Sequence, residues 1–458
     1  MFSQLLKTPD VASNDVIRTQ IEKVANLLIT HQRRATKTAR HGYNRIRIDS
    51  KVGGADNEIF QWLNNEYLQP DLAANALLES PNIESKPIDR FRNRANQIKS
   101  ANYMAGKLVT SQQEAILSMT KEISDKAAQH VLSMLDSWND FNVFDLDEVS
   151  GGNPILVLGI HIAFSSGIAN SLSVNLAQLA AFFQEIESGY NNVPFHSRIH
   201  GCDVLSAVYF FLKPHWQLQQ LNAMEILSAV IAAACHDFRH PGTNNSFQIA
   251  TESELALIYN DRSVLESYHA SEAMRILRRP EYRWCLGELT NEQRQFMRTN
   301  IIEMILATDM TQHMHTFCVL EEFQNEKLAS GRLPFDSNLR KRKYLQGALH
   351  VADLSNLARP LELYLRWTEN LMQEFYAQGD AEQNKGLAVS PMMKRNFTDI
   401  PKCQLSFIDF VVRPLFASFA DLSSSVPICL ELLESNRNHW VQHILQPLPP
   451  DKASYPVP

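Results

Sequence analysis

Paired cysteines are missing from this sequence. The six present, at positions 202, 235, 285, 318, 403 and 429, stand singly, with no CxxC spacing, which excludes a small disulfide scaffold and predicts reduced thiols. Glycine is scarce, 16 in 458 residues, and alternating β-branched runs are few, so a sheet-rich fold has little to build from. Long apolar runs are lacking too. The opening MFSQLLKTPD has no stretch of signal-peptide type, and ILSAVIAAAC at 226–235 is too short to cross a bilayer. The expectation is a cytoplasmic protein with no membrane span. No repeat of fixed period occurs, and neither the 45% apolar nor the 20% charged content suggests wholesale disorder.

Charge is unevenly spread. Residues 1–110 carry 16 basic and 11 acidic side chains, a balance of +5, which leaves −12 of the total −7 on the rest. A mild excess without clustered aromatics is no nucleic-acid signature. An acidic remainder that had to bind a phosphate would need cations, which points to metal.

What the sequence does have is helical periodicity almost throughout, so the fold class reads as all-α. DVIRTQIEKVANLLI sets Ile17, Ile21, Val24 and Leu28 on one stripe behind Asn14 or Asp15 as N-cap. The basic THQRRATKTARHGYNRIRIDSKVGG that follows reads as a linker, NEIFQWLNNEYL as a second helix and SPNIESKPIDRFRNR as a break. From SQQEAILSM onward the pattern is nearly continuous, punctuated by SGGNP, KPHW, HPGTNN, SGRLPFD and VSPMMKRNFTDIP. The organisation predicted is an accessory region over 1–110, a helical domain over 111–448 and a proline-rich tail over 449–458.

The chemistry concentrates in three places. FHSRIHGCDV sets His196, His200 and Asp203 on one stripe if it is helical. A histidine pair at i and i+4 is common on helix surfaces and does not alone mean metal. In AAACHDFRHPGTNN, an apolar helix with Leu227, Val230, Ile231 and Ala234 as buried candidates ends in His236 and Asp237, with His240 beyond. A capped helix end with a proline-glycine stop explains Pro241 and Gly242, but not a His-Asp pair at the mouth of an apolar helix, which is costly to bury unless paired or metal-bound. In LHVADLSN, Asp353 follows an apolar pattern; alone it reads equally as an N-cap or a surface acid. Together, two His and two Asp form a mixed N/O set for Zn²⁺, Mn²⁺ or Fe²⁺, with a carboxylate free to bridge to a harder ion such as Mg²⁺.

HDFRHPGTNNSF matches the His-Asp-apolar-x-His-x-Gly-x-x-Asn-x-apolar signature, and NNVPFHSRIHGCDVL, SELALIYNDRSVLESYHAS, ILATDMTQHM, ADLSN and QLSFIDFVVRPLF follow in order over roughly residues 128–448. The set resembles the catalytic domain of class I cyclic-nucleotide phosphodiesterases, most like their cyclic-AMP-selective members. That resemblance implies a compact all-α, HD-type metal domain of many short helices. It implies His200, His236, Asp237 and Asp353 as ligands of a first ion, zinc, with Asp237 reaching a second, magnesium or alternatively manganese. It also implies His196 as the general acid for the leaving 3′ oxygen, oriented by Glu374. By the same likeness His240, Glu266, His269 and Thr308 hold metal waters, Gln404 bonds the purine, and Phe407 and Leu371 clamp it. The implied reaction opens a 3′,5′-cyclic nucleotide to the 5′-monophosphate, with a hydroxide between two ions as nucleophile, and so ends cyclic-nucleotide signalling.

The sequence departs from the family pattern at Phe195, Ser197, Tyr268 and Leu357, none an implied ligand. Asn356 stands where cyclic-AMP-selective members resemble this chain, so cyclic AMP is the expected substrate; the alternatives are a dual or cyclic-GMP-preferring enzyme, another HD-type nucleotide phosphohydrolase, an inactive scaffold, or an Asn356 that merely caps a helix. RRATK places Thr36 behind two arginines, similar to substrates of the cyclic-AMP-dependent kinase; a solvated loop is the plain alternative. That kinase and a second copy of the chain, in a homodimer, are the candidate protein partners.

Overall fold

A computed structural model of the chain describes residues 126–283, 285–395 and 398–445. The expected boundary near residue 110, the stripe on Ile17 to Leu28, Thr36 and the 449–458 tail lie outside the described residues. Every regular element among the described residues is helical, as the periodicity predicts.

The helices that build the site run in chain order: α1 (Pro154–Ser165), α2 (Leu176–Gly189), α3 (Arg198–Gln217), α4 (Ala223–Cys235), α5 (Val264–Leu277), α6 (Asn291–Leu306), α7 (His313–Ser330), α8 (Asn338–Asp353), α9 (Leu361–Asn384), α10 (Ile400–Phe407), α11 (Arg413–Ala420) and α12 (Pro427–Leu445). The centre is α4. It is apolar on all sides and buried at every position except Met224, as a helix surrounded by other helices must be. It packs on α3 and α6, while α3 also packs on α1 and α8. Leu227, Val230, Ile231 and Ala234 are each at most 1% exposed; truncating Ile231 to Ala would cost about 2–5 kcal/mol. The start of α4 is fixed by a capping box, in which Asn222 accepts from the Glu225 amide and Glu225 accepts from the Asn222 amide. Buried Glu225 also faces Lys341 Nζ at 3.4 Å.

Two close approaches seat the site on this core. A Cβ at Gly201 would stand 2.6 Å from the Tyr190 hydroxyl, and one at Gly189 would stand 2.4 Å from the Phe238 ring. Only glycine lets α3 and α2 come this near the chain around His236 and Asp237.

Two expectations fail in the fold. KPHW does not break the chain: Pro214 lies inside α3, near its C-terminal end. There the missing N–H costs one bond of the final turn, and that turn is held from outside, by Tyr344 Oη with His215 Nε2 (2.6 Å) and by Trp216 Nε1 donating to Ser166 O (3.1 Å). The longest apolar helical stretch is also not 226–235. Ile400–Ala420 forms 21 helical residues, long and apolar enough to cross a membrane. More than half of it is buried inside the fold, against α12 and α7, as a core helix would be. Gln404, Asp409 and Arg413 interrupt it in sequence, and a π-turn over Ile408–Val412 joins its two α-helical parts. The six cysteines are free thiols, as predicted.

Candidate active site

The carboxylates and imidazoles converge where α3, α4 and α8 meet. His236 caps the C-terminus of α4, Asp237 follows it, Asp353 ends α8, and His200 lies in the first turn of α3. Asp353 is therefore not an N-cap. Four atoms face one another: His200 Nε2 lies 3.0 Å from Asp353 Oδ1, 3.4 Å from Asp237 Oδ2 and 3.3 Å from His236 Nε2, and His236 Nε2 lies 3.2 Å from Asp237 Oδ2 and 3.3 Å from Asp353 Oδ1.

These distances test whether the residues fit a metal. Donors around a tetrahedral ion at ~2.0–2.1 Å stand ~3.3–3.4 Å apart, and all five separations lie close to that. His236 Nδ1 donates to Ala233 O at 2.8 Å, which leaves Nε2 facing the cluster as the ligand atom once its proton is displaced. Burial opposes charge on Asp237 and Asp353, yet the surrounding imidazoles, His236 foremost, hold both carboxyls below the ordinary range. Protons and a cation compete for this set, and a divalent ion serves both carboxylates and both imidazoles at once. The residues fit.

Asp237 has a second face. Its Oδ1 lies 3.9 Å from His269 Nε2, a buried nitrogen with no hydrogen-bond partner, while His269 Nδ1 donates to Phe238 O at 2.6 Å. Asp237, His240 and His269 form a further group able to hold an ion or its waters. Burial lowers the pKa of His240 well below the ordinary value and that of His269 to about 4, so both rings are neutral. Glu266 accepts two bonds from Asn245 Nδ2 (3.1 and 3.0 Å), and burial together with Asp309 lifts its pKa to about 8. Thr308 lines the same cavity, its hydroxyl donating to Ile305 O at 2.8 Å.

The predicted helical stripe holds only in part. α3 begins at Arg198, with Ser197 extended at its N-cap, so His196 precedes the helix. It reaches the site because Glu374 of α9 pulls it there. Glu374 Oε2 accepts from the Phe195 and His196 amides at 2.9 and 3.1 Å, and its Oε1 pairs with His196 Nδ1. The other ring nitrogen, Nε2, is left for the cavity. Burial opposes charge on His196, but Glu374, then Asp237 and Asp353, outweigh it and lift its pKa to about 9. Asp203 turns away from the cluster: its Oδ1 accepts from Arg359 Nη2 at 2.6 Å, with both side chains buried.

From the cluster a cavity of about 270 Å³ runs to an apolar end. Asn356, Leu371, Gln404 and Phe407 line it, together with His196, Asp237, His240, Glu266, His269, Thr308, Asp353 and Glu374. His200 and His236 lie behind its wall. Asn356 sits in a 3₁₀ turn, Ser355–Ala358, and its Nδ2 donates to Asp353 O at 3.4 Å; it is not a helix cap.

Two residues that sequence reasoning missed control Gln404. Trp440 Nε1 donates to Tyr364 Oη (2.6 Å), and Tyr364 Oη lies 2.7 Å from Gln404 Oε1. An indole can only donate, so the tyrosine proton is free for the glutamine, whose Oε1 must accept it. The Gln404 amide is thereby held one way round. No local signal marks a tyrosine or a tryptophan for this task; only the packing of α9, α10 and α12 joins them.

Residues 195–433 match the family described as 3′5′-cyclic nucleotide phosphodiesterase. The chain is 34% identical to a probable 3′,5′-cyclic-AMP phosphodiesterase of Caenorhabditis elegans over 325 residues, 70% of this chain and 48% of that protein. To 3′,5′-cyclic-AMP phosphodiesterase 4C it is 32% identical in Rattus norvegicus and 31% in Mus musculus, over 88% of this chain and 74% and 57% of theirs. It thus spans about half the length of the nematode relative. The crystal structure of the phosphodiesterase domain of a RhoPDE fusion protein from the choanoflagellate Salpingoeca rosetta superposes with a TM-score of 0.62 at 29% identity, covering 70% of this chain and 98% of that one.

Proposed function

Because the chain belongs to the 3′5′-cyclic nucleotide phosphodiesterase family, we propose that it hydrolyses cyclic AMP to the 5′-monophosphate in the cavity between the His/Asp cluster and Gln404. The single observation that carries this reading is one continuous cavity with a metal-type donor set at one end and an amide of fixed orientation at the other.

His200, His236, Asp237 and Asp353 hold the first ion, taken as zinc. Asp237, with His240, His269, Glu266 and Thr308 around it, would hold the second, taken as magnesium or manganese. When bound, the ions supply positive charge to the phosphate and activate water for attack on phosphorus. The chain's own residues do the rest. Glu374 fixes the His196 ring through Nδ1 and keeps it protonated, so Nε2 gives a proton to the 3′ oxygen as the P–O3′ bond breaks and the bond to the water oxygen forms. Without that proton the leaving group would be an alkoxide.

Base preference follows from the amide chain. Gln404 Oε1, bonded to Tyr364, keeps a second lone pair for an N–H, and its Nε2 offers a donor. Adenine presents an amino donor beside a ring-nitrogen acceptor and matches this pair. Guanine presents a carbonyl oxygen where adenine has its amino group, setting acceptor against acceptor. Leu371 and Phe407 take the faces of the ring, and Asn356 adds a second amide at its edge. The names of the relatives support cyclic AMP, and the six free thiols support a cytoplasmic enzyme.

The test is turnover of cyclic AMP, cyclic GMP and a linear nucleotide by purified protein with added divalent ions. Faster formation of 5′-AMP than of 5′-GMP, with the linear nucleotide untouched, is expected. Equal rates would make the enzyme dual-specific, hydrolysis of the linear substrate alone would make it another phosphohydrolase, and no turnover would make it a scaffold.

A further inference from the structure

The turn that carries Asn356 is held by an unusual set of partners. Three successive backbone carbonyls just beyond it are captured by side chains remote in sequence. Asn436 Nδ2 of α12 donates to Leu357 O and to Arg359 O, both at 2.8 Å, and Trp138 Nε1 donates to Ala358 O at 2.7 Å. Arg359 then reaches back under the turn. Its Nη2 donates to Asp203 Oδ1 at 2.6 Å and to Ser206 Oγ at 2.8 Å on α3, and its guanidinium carbon lies 3.9 Å from the centre of the Trp138 ring. Arg359 is 2% exposed, Asp203 2%, Trp138 3% and Asn436 1%.

A buried ion pair is costly to desolvate, and apolar residues of similar size would fill the space as well. What the pair adds is a fixed geometry. Asp203 lies one turn along α3 from His200, and Asp353 lies three residues before Asn356. The clamp thus ties the base end of the cavity to α3, which carries His200, close along the chain to Asp353 at the end of α8. Trp138 and Asn436 both fall outside the stretch 195–433 that matches the family.

We propose that Trp138, Asn436 and the Asp203–Arg359 pair form a positioning device that sets Asn356 against the purine and thereby sharpens the choice of base. This rests on the reading of Asn356 as a base contact. The clamp residues touch neither substrate nor ions; they act through the backbone of residues 357–359. Loosening it lets the Asn356 amide move without disturbing the donors of the cluster, so its signature is a change in KM and base preference at constant kcat.

The test compares Trp138→Phe, which keeps the ring under Arg359 and removes one donor, with Asn436→Leu, which removes two bonds at nearly constant volume. Each variant is measured with cyclic AMP and cyclic GMP, beside bound-metal content and thermal stability. The expected result is a rise in KM for cyclic AMP of roughly three- to tenfold, an equal fall in the cyclic AMP to cyclic GMP preference, and unchanged kcat and metal content. Arg359→Lys, which preserves the charge opposite Asp203, should retain the preference that Arg359→Met loses. If Asn436→Leu does not fold, Trp138→Phe decides alone. A preference unchanged in folded Trp138→Phe, or a fall in kcat at steady KM, overturns the clamp while wild-type turnover of cyclic AMP stands. Absence of that turnover in the wild type overturns the functional reading, and the clamp with it.

Discussion

The two ends of the cavity are built by opposite means. The metal end is charged and crowded: its donors come from three stretches of the chain, with His200 and Asp353 standing 153 residues apart, and each sits at or near a helix terminus. The base end is neutral and assembled at long range, with Gln404 oriented by Tyr364 and Trp440, 40 and 36 residues away, and Asn356 backed by donors 80 and more residues distant. On the proposed function, the first end would supply the electrostatics of the reaction and the second its selectivity. Mutations at the first should abolish chemistry, and mutations at the second should reshape preference.

The largest effect expected is at the cluster. Asp353→Asn keeps the volume and removes the charge, so it should empty the first ion site and lower turnover at least about a thousandfold, read by elemental analysis beside activity. Retention of full metal content would break the division.

Next comes Glu374→Gln. The competent form of His196 is protonated, so activity is present below its pKa and falls as pH rises through it. The chain alone places that value at about 9. Cations beside Asp237 and Asp353 offset part of the shift, so the alkaline limb of kcat should fall between ~6.5 and that value. Glu374→Gln removes the anion that holds the proton, which should move the limb down toward ~6.5 and lower kcat about a hundredfold. A limb that stays in place would deny Glu374 its role.

At the base end, Gln404→Ala should raise KM for cyclic AMP about ten- to a hundredfold with kcat little changed, in steady-state kinetics. The smallest effect sharpens the comparison most. Tyr364→Phe leaves the Gln404 amide free to turn over, so KM for cyclic GMP should fall a few-fold while that for cyclic AMP rises.

Legibility in the sequence follows the same division. Helical periodicity gave the fold class, and the costly burial of His236 and Asp237 after an apolar helix marked the stretch that the fold brings into the His/Asp cluster. Pro214 was misread because tertiary packing on Trp216 and His215 overrides a local breaker. The stripe through His196 was misread because spacing fixes a stripe only once the helix start is known, and α3 starts too late to include that residue. Tyr364, Trp440, Trp138 and Asn436 left no trace in pattern, since each acts through a contact that only the assembled fold creates.

The central claim is that four donors, from three separate stretches of the chain, surround one metal ion. Anomalous scattering from crystals grown with zinc tests it directly. The account predicts a peak about 2.0–2.2 Å from His200 Nε2, His236 Nε2, Asp237 Oδ2 and Asp353 Oδ1 together. A zinc peak elsewhere in the molecule, with those four side chains hydrogen-bonded only to one another, would contradict it.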